Sequence, residues 1–243
     1  VVHNETHMGE GGREFPLTTW GVVAQVGDTG DVRQAGLETL CHRYWKAVYC
    51  YVRAAWRTSN ADAKDLTQGF FMWLVQARVL ERYSADQGRF RHYLKGLLRN
   101  YVRGQRSTAG RIKRGGAAHH VALDNAELAL AEQIPDTKSE SPEAAFDRLW
   151  VEGLLERALL RAQTYFNAAG HELRVQIHSA YELASGEQPS YKDVARQLGV
   201  KAGDVRNHLH KMRERIRVEI RAELRETVRS PEDLETEWGE LFQ

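Results

Sequence analysis

Apolar side chains recur every three or four positions along most of this chain, the period of helices, and no segment alternates as a set of strands would. Leu37, Leu40, Cys41, Tyr44, Val48, Val52 and Ala55 form one stripe on a predicted helix that runs to about Arg57. Asn60 can cap the next helix, in which Ala63, Leu66, Phe70, Trp73, Leu74 and Ala77 repeat the spacing. After the polar break Ser84 to Gly88, a third helix carries Phe90, Tyr93, Leu94, Leu97, Leu98, Tyr101 and Val102. These predict a three-helix domain over residues 31–107, behind a flexible arm over 1–30.

From about Gly104 to Ser141 the chain is rich in Gly, Ala, Ser and charge, which reads as a flexible linker spanning 108–141. Ser141 and Pro142 then signal a helix start, since proline at the first helical position forgoes an N–H that has no partner there anyway. Phe146, Leu149, Trp150, Leu154, Leu155, Ala158, Leu159 and Ala162 make its apolar stripe, and Gly170 can end it. Leu173, Val175, Ile177, Ala180, Tyr181 and Leu183 predict a further helix closed by Gly186. The expected fold is all-α: two small helical domains, 31–107 and 142–229, joined by the linker and followed by an acidic tail over 230–243.

The segment Ser190 to Leu209 has the grammar of a helix-turn-helix. Ser190 caps the first helix, and Asp193 can reach back in a capping box. Ala195 is small where the two helices cross, and Gly199 supplies the positive φ of a tight turn. Val194, Leu198, Val205 and Leu209 point to a core, which turns Lys201, Arg206, Asn207, His210, Lys211 and Arg213 outward. Such a second helix enters the DNA major groove, where Arg and Asn read base edges and neighbouring cations hold phosphates. A plain αα-hairpin with a basic surface is the alternative at this level.

Composition changes the picture little: of 243 residues 42% are apolar and 28% charged, so wholesale disorder is excluded. The longest apolar run, Gly69 to Val75, falls well short of the roughly 18 residues a membrane helix needs. Val1 to Phe15 is polar and predicts no secretory leader, and a cytoplasmic location is expected. Cys41 and Cys50 lack metal-ligand spacing and read as small core residues of a reduced protein.

Charge changes it more. The formal net charge is +1, yet it arises from opposed blocks. Between Gly88 and Gly116 stand nine bases and no acid, from Arg89, Arg91, Lys95, Arg99 and Arg103 on to Arg114. Leu123 to Arg157 holds nine acids against three bases, Lys201 to Arg229 nine bases against five acids, and Ser230 to Gln243 five acids alone. Two basic zones, each on a helix with aromatics or a turn motif, favour polyanion binding.

Taken together, the chain resembles a sigma-70 family RNA polymerase sigma factor of the extracytoplasmic-function (ECF) type. One carrying segment is Leu40 to Tyr49 followed by Ala61-Asp62-Ala63-Lys64-Asp65-Leu66-Thr67-Gln68-Gly69-Phe70-Phe71, similar to the family's Asp-Ala-Glu-Asp-Leu-x-Gln-Glu-x-Phe pattern. Another is Gly88 to Leu94 with Leu98-Arg99-Asn100, similar to the helix that engages the −10 promoter element. The third is the helix-turn-helix, continued through Arg217 as in the family's −35-binding module. Resemblance covers Leu37 to Ser107 and Phe146 to Arg221. Gly69 departs from the family's usual Glu, Tyr93 from Trp, and Lys201 from Ser or Thr at the start of the recognition helix.

The resemblance implies binding of core RNA polymerase, with Asp62, Asp65, Gln68 and Met72 on the β′ clamp helices and the second domain near the β flap. It implies that Arg89, Arg91, Tyr93, Lys95, Arg99, Asn100 and Arg103 hold the opened −10 strand, by base stacking and phosphate contacts. Core packing is the alternative for Tyr93. Lys201, Arg206, Asn207, His210, Lys211 and Arg213 fall to the −35 duplex. Promoter DNA and an anti-sigma factor are the further partners, with no membrane insertion and no cofactor. No GxxxxGK[ST], GxGxxG or HExxH is present, and His119-His120 has no ligand partner at metal spacing, so no enzymatic activity and no metal site are expected. The competing class is a stand-alone helix-turn-helix repressor or activator with an N-terminal dimerisation domain.

Overall fold

The computed structural model describes residues 30–56, 59–83, 89–109, 140–228 and 230–242. The expected N-terminal arm and nearly all of the linker, with His119 and His120, lie outside them. Among the described residues every regular element is helical, so the chain is all-α as its periodicity predicts.

Helix α1 (Gly30–Trp56) is the centre of the molecule. Ala47, Val48, Tyr49, Cys50, Tyr51 and Val52 are all buried in succession, which a helix with one apolar stripe does not produce. The reason is that α2 (Asn60–Gln76) packs on one side of α1 while α4 (Pro142–Ala168) packs along it on another. Ser59, one residue before the expected Asn60, caps α2 by accepting from the Asp62 N–H at 3.2 Å. A left-handed Arg78 (φ 50°) ends that helix in a short 3-10 turn, Val79–Arg82. Helix α3 (Phe90–Ala109) follows, its core stripe being Phe90, Leu94, Leu98 and Val102 at intervals of four.

Ser141 caps α4 and Pro142 opens it as the sequence predicts, and at its far end Gly170 takes φ +71° while the His171 N–H closes on the Phe166 carbonyl at 2.8 Å. Then come α5 (Glu172–Glu182), α6 (Tyr191–Leu198) and α7 (Ala202–Arg225). Leu183 rather than Gly186 closes α5. The expected acidic tail is a helix, α8 (Pro231–Phe242), whose Leu234, Trp238, Leu241 and Phe242 pack inward.

Three buried clusters result among the described residues, and the largest joins residues from both expected domains and the expected tail. It links α1, α2 and α3 to most of α4, the end of α7 and α8. Tyr44 sits at its aromatic centre, 5.7 Å from Phe90, 6.3 Å from Trp150 and 6.4 Å from Phe146. Each large apolar side chain buried there stabilises the fold by about 1.5–3 kcal/mol. Cys50 lies within it, its thiol pushed up to about 12 by burial, in line with a structural residue. The second cluster is Ile177, Val194, Ala195, Val205 and Leu209, beneath the helix-turn-helix. Helix α7 belongs to both, and the third cluster, Ala162, Phe166 and Met212, fills the gap where α4 passes its middle.

Candidate nucleic-acid interface

The turn that joins α6 to α7 is built as its residues dictate. The Ser190 hydroxyl accepts from the Asp193 N–H at 3.2 Å, and the Asp193 carboxylate accepts from the Ser190 N–H at 3.3 Å and from its hydroxyl at 2.6 Å. Those bonds hold the Asp193 carboxyl below the usual carboxylate range. Gly199 takes φ +67°, a left-handed conformation that costs an L side chain about 1–2 kcal/mol. Val200 N–H then closes on the Ala195 carbonyl at 3.0 Å. Lys201 occupies the N-cap of α7 without a side-chain capping bond, the consequence expected of that departure.

Val194, Val205 and Leu209 are buried and Leu198 half-buried, leaving Lys201, Arg206, Asn207, His210, Lys211 and Arg213 exposed on one element. Their availability differs. Arg213 bridges back to Glu182 on α5, its Nε 3.0 Å from that carboxylate, and His210 lies 3.3 Å from Glu214. Arg206, Asn207 and Lys211 carry the open part of the surface.

The α3 residues present a different face from the one expected. Arg91 is buried at 3% exposure; its Nε donates to Glu237 at 2.7 Å, and its Nη atoms meet Asp147 and, at 3.3 Å, Glu240. Arg89 donates to Glu237 at 2.6 Å and also to Glu240. Lys95 donates to both Asp147 oxygens at 2.9 Å, and Arg99 lies 3.3 Å from Glu143. Glu143 and Asp147, one turn apart on α4, thus run antiparallel to Arg91, Lys95 and Arg99, spaced by single turns on α3. Among the described residues, the bases Arg89, Arg91, Lys95 and Arg99 of the basic block are paired with acids of α4 and α8. Sequence reasoning missed these acids; their signal was the i, i+4 register of Glu143 with Asp147 and the apolar spacing of Leu234, Trp238 and Leu241 within an acidic segment.

Tyr93 is half-buried, packed 4.6 Å from Tyr83, and its hydroxyl donates to the Val79 carbonyl at 2.8 Å. That is the core-packing alternative, at least for the edge of the ring that carries the hydroxyl. Asn100 and Arg103 are exposed on the same helix.

On α2, Asp62 and Asp65 are exposed and Gln68 and Met72 half-buried. Asp62 has a structural part as well: the Ser59 hydroxyl donates to its carboxylate at 2.7 Å at the helix start. Gly69 marks a close approach, since a Cβ there would stand 2.6 Å from the Tyr101 hydroxyl oxygen. Tyr101 in turn packs on Phe70 and Trp73 at 5.5 and 5.6 Å. Any side chain at 69 would therefore require the Tyr101 hydroxyl to move.

His92, Glu237 and Glu240 bring potential ligand atoms within 4.8 Å of one another. Both carboxylates already serve Arg89 and Arg91, so a divalent cation there would have to displace two guanidinium groups. Among the described residues no helix is long and apolar enough to cross a membrane. No family model matches the chain, nor does any curated protein or solved structure.

Proposed function

We propose that this chain is a sigma-type initiation factor of the ECF plan, which binds core RNA polymerase in the cytoplasm and directs it to promoters. The observation that carries the reading is the helix-turn-helix: a capping box at Ser190, a left-handed Gly199 and an open row of Arg206, Asn207 and Lys211 on α7. The exposed acids Asp62 and Asp65, beside Gln68 and Met72 on α2, supply the polymerase-facing surface. The α3 face, with Asn100 and Arg103 exposed, supplies the single-strand surface. The chain performs no chemistry of its own; it positions the polymerase and holds opened bases.

The test is co-elution of the full chain with core polymerase and run-off transcription from a promoter selected with it. The expected result is a complex that Asp65→Arg with Gln68→Ala weakens without loss of helicity. Absence of a complex, or its indifference to those substitutions, overturns the reading or its α2 surface respectively.

A second reading is favoured by one feature: the helix-turn-helix face is open while the basic N-terminal half of α3 is engaged by acids. That arrangement suits a stand-alone duplex-binding regulator. It predicts a dimer that binds duplex DNA without polymerase.

A further inference from the structure

Helix α8 lies on the N-terminal end of α3, at Arg89 and Arg91, which the sequence resemblance assigns to single-stranded promoter DNA together with Asn100 and Arg103 further along the same helix. Its Glu237 is 1% exposed and takes Arg89 on one carboxylate oxygen at 2.6 Å and Arg91 on the other at 2.7 Å. Glu240 contacts both guanidinium groups as well. An anion shared by two guanidinium forks is the geometry in which a nucleic-acid phosphate would be held.

The attachment of α8 is both apolar and electrostatic: Leu234 is buried in the main core, and Trp238, Leu241 and Phe242 pack against it while staying partly open. On its outer side Arg221 lies over Trp238 at 4.5 Å and pairs with Glu235 at 2.5 Å. If α8 leaves, Arg91 and Lys95 are not orphaned, because Asp147 stays in place on α4. Release of α8 breaks these pairs and uncovers the inward parts of four apolar side chains, so a competing polyanion must replace the pairs and offset that exposure.

We infer that α8 is an intramolecular substitute for nucleic acid, an autoinhibitory strap whose Glu237 and Glu240 occupy the cations of α3 until a phosphate backbone displaces them. This rests on the reading of α3 as a nucleic-acid face. Apparent affinity for a strand is then the intrinsic affinity scaled by the fraction of molecules with α8 undocked. Neutralising the strap raises that fraction without touching the binding residues.

The experiment uses the full chain, Glu237→Gln and Glu240→Gln, with a fluorescent single-stranded deoxyoligonucleotide as probe and hydrogen exchange of α8 as the structural readout. Glu240 is 42% exposed, so its variant folds even where the buried Glu237 substitution does not. Expected are about tenfold tighter binding for Glu240→Gln, a larger gain for Glu237→Gln, and loss of α8 protection in the unmodified chain as oligonucleotide is added. Equal affinities in all three proteins, or α8 protection retained at saturating oligonucleotide, overturn the inference. A parallel co-elution with core polymerase separates the two claims. A gain in strand affinity without co-elution overturns the sigma reading and leaves the strap standing, whereas co-elution with unchanged affinity does the reverse.

Discussion

The guanidinium of Arg91 is bonded at Nε to Glu237, a carboxylate 146 residues further along the chain, with both side chains nearly closed to solvent. The two partners are not equally replaceable. Arg91 lies in the body of the molecule, 5.3 Å over the Trp150 ring, and serves Asp147 and Glu240 as well. Glu237 rides on a helix that can carry its charge into water. Arg91→Ala is therefore expected to cost the full amount for breaking a buried pair, about 3–5 kcal/mol, and Glu237→Ala distinctly less. Urea unfolding of the two variants checks the order, and a larger loss at Glu237 would contradict it.

Docking of α8 is expected to weaken in acid. The Arg89 hydrogen bond holds the Glu240 carboxyl below its ordinary range. Burial, and then Arg91, Arg89 and Lys95, push His92 below its ordinary value, against the weaker opposing pull of Glu237. Asp147 on α4 faces the same cations. Glu240 therefore binds fewer protons docked than undocked, so its stabilisation is complete above its ordinary value and is lost as pH falls through the depressed one, whereas the cations that lower His92 stay with it on α3 and the α8 carboxylate Glu237 opposes them. Trp238 emission followed downward from neutral pH is expected to hold steady to about pH 5, then to report release through the carboxylate range. Release on raising the pH instead would contradict the sign.

Local structure was legible because it is decided within a few residues. The capping box at Ser190, the αL turn at Gly199 and the Ser141-Pro142 start each follow from short-range geometry. What the sequence hid is long-range. Nothing near Arg91 announces Glu237, and nothing near Phe146 announces Tyr44, because periodicity shows that a helix has an apolar face but not which partner covers it. Hence periodicity predicts one buried stripe on α1 where α4 covers another, and composition predicts an acidic tail after Ser230 where two of its acids have counterparts on α3. The exposed row Arg206, Asn207 and Lys211 was legible for the opposite reason: outward positions need no partner to be specified.

Gly69 offers a test of packing against propensity. Alanine inside a helix is favoured over glycine by about 1 kcal/mol, but a Cβ at 69 would press on the Tyr101 hydroxyl oxygen at 2.6 Å. Its next neighbour, Tyr101 Cζ, lies at an ordinary 3.8 Å. Gly69→Ala is therefore expected to gain little by itself and to gain most of its propensity, up to about 1 kcal/mol, in a Tyr101→Phe background. Additive effects in urea unfolding would show that Tyr101 moves aside at no cost.

If α7 binds duplex DNA as proposed, its exposed residues divide between base reading and phosphate holding. Arg206 and Asn207 sit in the first turns of α7, where on the proposed reading side chains reach base edges, while Lys211 lies a turn further along. Arg206→Ala is expected to cost about 1–3 kcal/mol on the preferred duplex and to relax preference at one base position. Lys211→Ala is expected to weaken all duplexes alike and to reduce the salt slope by about one. Arg213, tied to Glu182 at 3.0 Å, is expected to affect DNA affinity less than Lys211, since its charge is already partly satisfied within the protein. Fluorescence anisotropy on a selected and a scrambled duplex, over a range of salt, resolves the three. Equal sequence-independent losses from Arg206→Ala and Lys211→Ala would reduce the helix-turn-helix to a nonspecific basic surface, and a dominant effect of Arg213 would mean that its bridge to α5 opens on the duplex.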